Sequence, residues 1–157
     1  PAASWYTGGA CWRYRGDAAL RRVLRGLRGR YDRVAFVGDS MGGSAALRYA
    51  QYADAVVALA PQVSNLADDP HVGREDLHED ALRRHVEGPL LTSVERALRR
   101  RVSIRVHFCA GHARDAAHVA ALPPGVTPVP HAGDAHDVAA LLKADGVLDD
   151  VVRDVLL

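Results

Sequence analysis

Apolar residues follow two rhythms along this chain, and the switching between them predicts an α/β fold. From Asp17 to Gly29, Leu20, Val23, Leu24 and Leu27 recur at helical spacing, with Arg21, Arg25 and Arg28 on the opposite stripe. Asp17 is the expected N-cap and Gly29 the expected stop. Val34 to Val37 is a short apolar run, and the small residues after it carry a helix through 41–52. Ala55 to Ala60 is apolar throughout, the pattern of a strand buried on both faces. Two such runs joined by a helix form a right-handed parallel βαβ unit.

Pro61 to Arg74 reads as loop, and Glu75 to Val86 as a charged helical stretch broken by Gly88-Pro89. Leu90, Leu91, Val94, Ala97 and Leu98 then return to helical spacing. Segment 61–101 is longer than a simple connection needs, and reads equally as a lid or as a plain crossover helix with a long loop. Val102, Ile104, Val106 and Phe108 alternate with Ser103, Arg105, His107 and Cys109, which predicts a strand with one wetter face. A short helix from Ala116 to Leu122 and an edge strand from Val126 to Val129 follow, the prolines placing that strand at the edge. His131 to Asp137 is a loop, and Val138 to Leu157 a closing amphipathic helix interrupted at Gly146. The expectation is one domain over residues 1–157: an open, mainly parallel sheet with flanking helices.

Composition narrows this picture little. The 157 residues are 48% hydrophobic and 25% charged, as in ordinary globular proteins, and suffice to bury a core. A formal charge of +1 points to neither nucleic acid nor a membrane surface, and no apolar run reaches the length of a span. Arginine outnumbers lysine, whose one representative is Lys143, in the manner of a GC-rich coding bias. The eight arginines from Arg13 to Arg33 read first as a solvated face and second as a contact for a phosphorylated group. Two cysteines, Cys11 and Cys109, give no disulfide framework, so the cytoplasm or another reducing compartment is the default. Because the first residue is proline, the chain is expected to be a trimmed or partial piece, with a protein partner if it is a subunit. Trp5, Tyr6, Trp12 and Tyr14 surround Thr7-Gly8-Gly9, an aromatic loop packed on the domain or, more sharply, a loop near the active site.

The chemistry concentrates at Gly38-Asp39-Ser40-Met41-Gly42, a G-x-S-x-G pattern between a strand and a helix. In a nucleophile elbow of this kind the serine occupies a strained turn, so side chains two residues before and after it would collide with the backbone. The helix behind it directs free N–H groups at a developing oxyanion. A serine hydroxyl needs an imidazole to take its proton, and the imidazole needs an orienting group. Loops at the C-terminal ends of parallel strands converge on one edge, where Ser40, Asp115 and His136 all fall. His131, His112 and His118 are rivals for the base, and Asp134, Asp137 and Asp80 for the acid. Asp39 is placed to tune local charge and is expected, with Gly8 and Gly9, to contact substrate. His112 with His107 and His118 is a faint metal pattern that no cysteine or carboxylate spacing completes, so no metal is expected.

Over residues 33–157 the chain resembles the α/β-hydrolase superfamily, in its elbow Gly38-Asp39-Ser40-Met41-Gly42-Gly43, the acid Asp115 and the histidine His136 before the final helix. It looks closest to small Ser-Met-Gly-Gly esterases and thioesterases. That resemblance implies Ser40 as nucleophile, His136 as general base, Asp115 as its orienting acid and the Met41 N–H as one oxyanion donor. It implies a small acyl ester or thioester as substrate, and no cofactor. The departure is at the front, where about 32 residues precede the elbow strand and leave no room for the family's early strands. Gly8 and Gly9 are then the candidates for the second oxyanion donor and for substrate contact. The alternative reading is a truncated or inactive hydrolase fold kept as an interaction module.

Overall fold

A computed structural model describes residues 9–11, 14–64 and 86–155. A small antiparallel ribbon, β1 (Gly9–Cys11) and β2 (Tyr14–Arg15), precedes α1 (Asp17–Arg30). The main sheet has four parallel strands in chain order: β3 (Ala35–Asp39), β4 (Ala55–Leu59), β5 (Ser103–Cys109) and β6 (Thr127–His131). Between them run α2 (Met41–Arg48) with a 3₁₀ turn (Ala50–Tyr52), α3 (Gly88–Arg99) and α4 (Ala113–Ala120). The chain closes with α5 (Val138–Ala144) and α6 (Leu148–Arg153). The fold is an open three-layer α/β arrangement, as its apolar rhythm predicts.

The two cores divide the strands by parity. Val56, Ala58, Ile104 and Val106 face Leu47, Leu90 and Val94 of α2 and α3. Ala55, Val57, Leu59 and Cys109 face Val138, Leu142 and Val155 from the C-terminal segment. Every residue of β4 is buried, which is why its sequence shows no polar alternation. On β5 the expected wetter face is open at Ser103 and partly at Arg105, but covered toward the strand's end, where His107 and Cys109 are buried. The reason is tertiary: α5 packs against β5 from that side, a contact that strand alternation cannot reveal.

Other boundaries differ for identifiable reasons. Gly16, with φ 83°, is the N-cap of α1, while the Asp17 carboxylate turns sideways to Arg21, Arg48 and Tyr49. Arg48 is 5% exposed, so its guanidinium keeps this carboxylate for pairing rather than capping. Val86 and Glu87 already wind helically into α3, where Pro89 sits in the first turn; residues 75–85 of the expected charged helical stretch lie outside the described residues. α3 packs on α2 as a crossover helix, and residues 65–85 of the expected lid or crossover segment lie outside the described residues. β6 runs on to His131, and Gly146, with φ 71°, separates α5 from α6. Among the described residues, no helix is long and apolar enough to cross a membrane.

Candidate active site

The turn from β3 to α2 is built around one strained residue. Ser40 has φ 48° and ψ −116°, a positive φ that side-chain-bearing residues rarely adopt. The backbone around it is packed too closely to admit side chains at its glycines. A Cβ on Gly38 would lie 2.2 Å from the Gly42 carbonyl oxygen, and one on Gly43 would lie 3.0 Å from that of Leu59. The Ser40 N–H donates to Leu59 O at 2.8 Å, pinning the turn to the end of β4. Ser44, buried one turn into α2, donates through Oγ to Gln62 O at 2.8 Å and accepts from Gln62 N–H at 2.9 Å.

Ser40 is the N-cap of α2, yet its hydroxyl makes no capping bond. It lies instead 2.9 Å from His136 Nε2. On the other side of that ring, Nδ1 is 2.9 and 3.0 Å from the two carboxylate oxygens of Asp115. A carboxylate accepts only, so it fixes the imidazole proton on Nδ1 and leaves Nε2 to accept the Ser40 O–H. Asp115 is 1% exposed, whereas the His136 side chain is 34% exposed. The acid is thus anchored in the fold, and the base is open to the edge where a ligand would arrive.

Two loops are stitched together to achieve this. After β5, Ala110 N–H donates to His131 O and Gly111 N–H to Gly133 O, both at 2.9 Å. A Cβ on Gly111 would come within 2.7 Å of Gly133 O, so only glycine admits the loop carrying His136. Gly133 itself has φ 113°. Asp115 lies in the first turn of α4, not in a loop, and the helix start gives it a fixed direction. Asp137 caps α5 by accepting the Ala140 N–H at 2.9 Å, which sets the residue beside it, His136, at the helix entrance.

The rival residues are placed elsewhere. His131 ends β6 and meets His107 Nδ1 at 3.0 Å, the two rings stacked 5.2 Å apart. His118 is buried on α4 and accepts the Val63 and Ser64 N–H groups at 3.4 Å. His112 caps α4, its Nδ1 accepting the Asp115 N–H at 3.2 Å. Asp134 lies in the loop after β6, and Asp80 lies outside the described residues. Asp39 ends β3 with its pKa raised, by partial desolvation first and by the charge of Asp137 next. Burial beside His131 and Arg105 drives His107 down from its ordinary 6.5 to about 4.

Met41 begins α2, whose first N–H groups have no partner within the helix and face the N-terminal end. Gly9 belongs to the ribbon, where it pairs with Arg15, and β1 packs on α1. Gly8 lies outside the described residues. What the sequence did not signal is the part of His112. Its Nδ1 stands 3.1 Å from Asp115 Oδ2, so one carboxylate faces two imidazoles. The i, i+3 spacing of His112 and Asp115 carried that hint, since a capping residue and a first-turn acid meet at that separation. Compared with protein-family models, curated proteins and solved structures, the chain matches none of them.

Proposed function

We propose that the chain is a serine hydrolase that cleaves a carboxylic ester or thioester through an acyl-enzyme on Ser40. One observation carries this reading: a strained elbow serine whose hydroxyl reaches an imidazole that a buried carboxylate holds from behind. In this reading Ser40 Oγ attacks the acyl carbon while His136 Nε2 takes its proton. Asp115 keeps the ring in the accepting tautomer and stabilises the imidazolium that forms. The Met41 N–H, at the positive end of α2, faces the developing oxyanion. Collapse of the tetrahedral intermediate breaks the bond to the leaving alcohol or thiol, which receives the proton from His136. Water, deprotonated by the same Nε2, then attacks the acyl-enzyme, and Ser40 recovers its hydrogen. The order nucleophile, acid, histidine supports a reduced relative of the α/β-hydrolases.

Turnover of p-nitrophenyl esters tests it. Ser40→Ala is expected to lower the rate by at least about 10³-fold, since removing the nucleophile leaves only binding and the oxyanion donor. Equal turnover by the variant overturns the proposal. A second reading is favoured by β3, which carries the elbow yet forms the outer strand of the described sheet. That edge suits a partner strand, and a structural subunit predicts assembly unchanged by Ser40→Ala.

A further inference from the structure

His112, Asp115 and His136 present one nitrogen each from two imidazoles and one carboxylate oxygen, all within 4.8 Å of one another. We infer that these three side chains bind a divalent transition-metal ion such as Zn²⁺, and that the ion switches the hydrolase off. Imidazole nitrogen and carboxylate oxygen are the donors this ion takes, at bonds of about 2.0–2.2 Å, which set neighbouring donors about 3.3 Å apart. Two of the three edges are already close to that, both to one carboxylate oxygen: 3.0 Å from His136 Nδ1 to Asp115 Oδ2, and 3.1 Å from His112 Nδ1 to the same atom.

The His112 Nδ1 lone pair is spent on the Asp115 backbone N–H at 3.2 Å, so an ion takes it in place of that cap bond, at an atom already 3.1 Å from Asp115 Oδ2. Both imidazoles keep about a third of their side chains in contact with solvent, 29% and 34%, so an ion can reach the cluster and keep water on its open side.

Inhibition follows from the tautomer. Base catalysis needs the proton on Nδ1 and a free lone pair on Nε2. A metal ion takes the lone pair of Nδ1, so the proton of the neutral ring moves to Nε2. There it donates toward Ser40 Oγ and cannot accept. The proton changes nitrogen, and no oxidant or further reactant is involved. The inhibitory half rests on the hydrolase reading, and the binding half does not.

The test titrates the whole chain with Co²⁺, read by its visible absorption, and with Zn²⁺, read by the rate of fluorophosphonate labelling. The expected result is a saturable Co²⁺ band that persists in Ser40→Ala and weakens in affinity roughly tenfold or more in His112→Asn, whose amide retains the helix cap. Zn²⁺ is expected to slow labelling at least tenfold, and EDTA to restore it. No Co²⁺ band, or the same affinity in His112→Asn, overturns the site. A normal band with Zn²⁺-insensitive labelling overturns the inhibition. A normal band in protein that never labels shows that the hydrolase reading, and not the metal site, has failed.

Discussion

At the scale of single residues, the proposed chemistry falls to Ser40 and its two supports. In that proposal Asp115 acts through His136, holding the tautomer that leaves the Nε2 lone pair to accept from Ser40. Asp115→Asn keeps size and burial but presents an amide that either donates toward Nδ1 or fixes the wrong tautomer. A fall of about 10²–10⁴-fold in ester turnover is expected with the heat-unfolding midpoint little changed, as removal of an orienting acid does elsewhere. Turnover within threefold of the parent chain sets aside the role of Asp115. Gly38 tests the elbow itself. Its missing Cβ would overlap the backbone at Gly42 and Gly43, where no side chain can swing away. Gly38→Ala is expected to cost about 3 kcal/mol in a denaturant titration, together with activity. The elbow and its three side chains were legible in the sequence because glycine spacing and strand ends are local signals. His112 was not, because its bond to the acid arises only once α4 has formed.

At the scale of elements, β5 shows where alternation misleads. Its later polar-looking positions are covered, Cys109 by the closing helices and His107 against the His131 ring, so a pattern that reads as half-exposed belongs to a central strand. β4 was readable because unbroken apolar sequence has one structural meaning; on α1 the stripe is mixed, since Arg21 and Arg28 turn inward to Asp17 and Asp54 while Leu27 is exposed. Covering His107 has a pH consequence. Its folded pKa of about 4 lies below the ordinary 6.5, so the neutral ring is the folded form. The stability this ring confers is complete above pH 6.5 and is lost as pH falls toward 4, amounting to about 3 kcal/mol. Asp54 acts lower still: its desolvation is outweighed by the Val34 N–H and Arg28, so its carboxyl is held below 3.8. Heat-unfolding midpoints between pH 7 and 4 are expected to drop steeply in the parent chain and less steeply in His107→Leu. Parallel curves contradict this.

For the whole molecule, a formal charge of +1 conceals a polar layout. Arg30 and Arg33 precede β3, and Arg99, Arg100 and Arg101 precede β5, placing basic groups at the N-terminal end of the sheet. Asp39, Asp115 and Asp137 gather around His136 at the other end. On the proposed hydrolase reading, such a field favours cationic esters over anionic ones. Esters matched in leaving group but carrying an ammonium rather than a carboxylate are expected to differ roughly tenfold in kcat/KM at low salt, the gap narrowing as salt is added. A preference for the carboxylate ester runs against this layout.

The central claim is that an elbow hydroxyl, activated by His136, is a nucleophile. Treatment of the folded chain with a fluorophosphonate, followed by mass spectrometry of its peptides, measures this most directly. The account predicts one covalent adduct, on Ser40, formed slowly in His136→Ala and absent in Ser40→Ala. Folded protein that carries no adduct, or carries it on another residue, contradicts it.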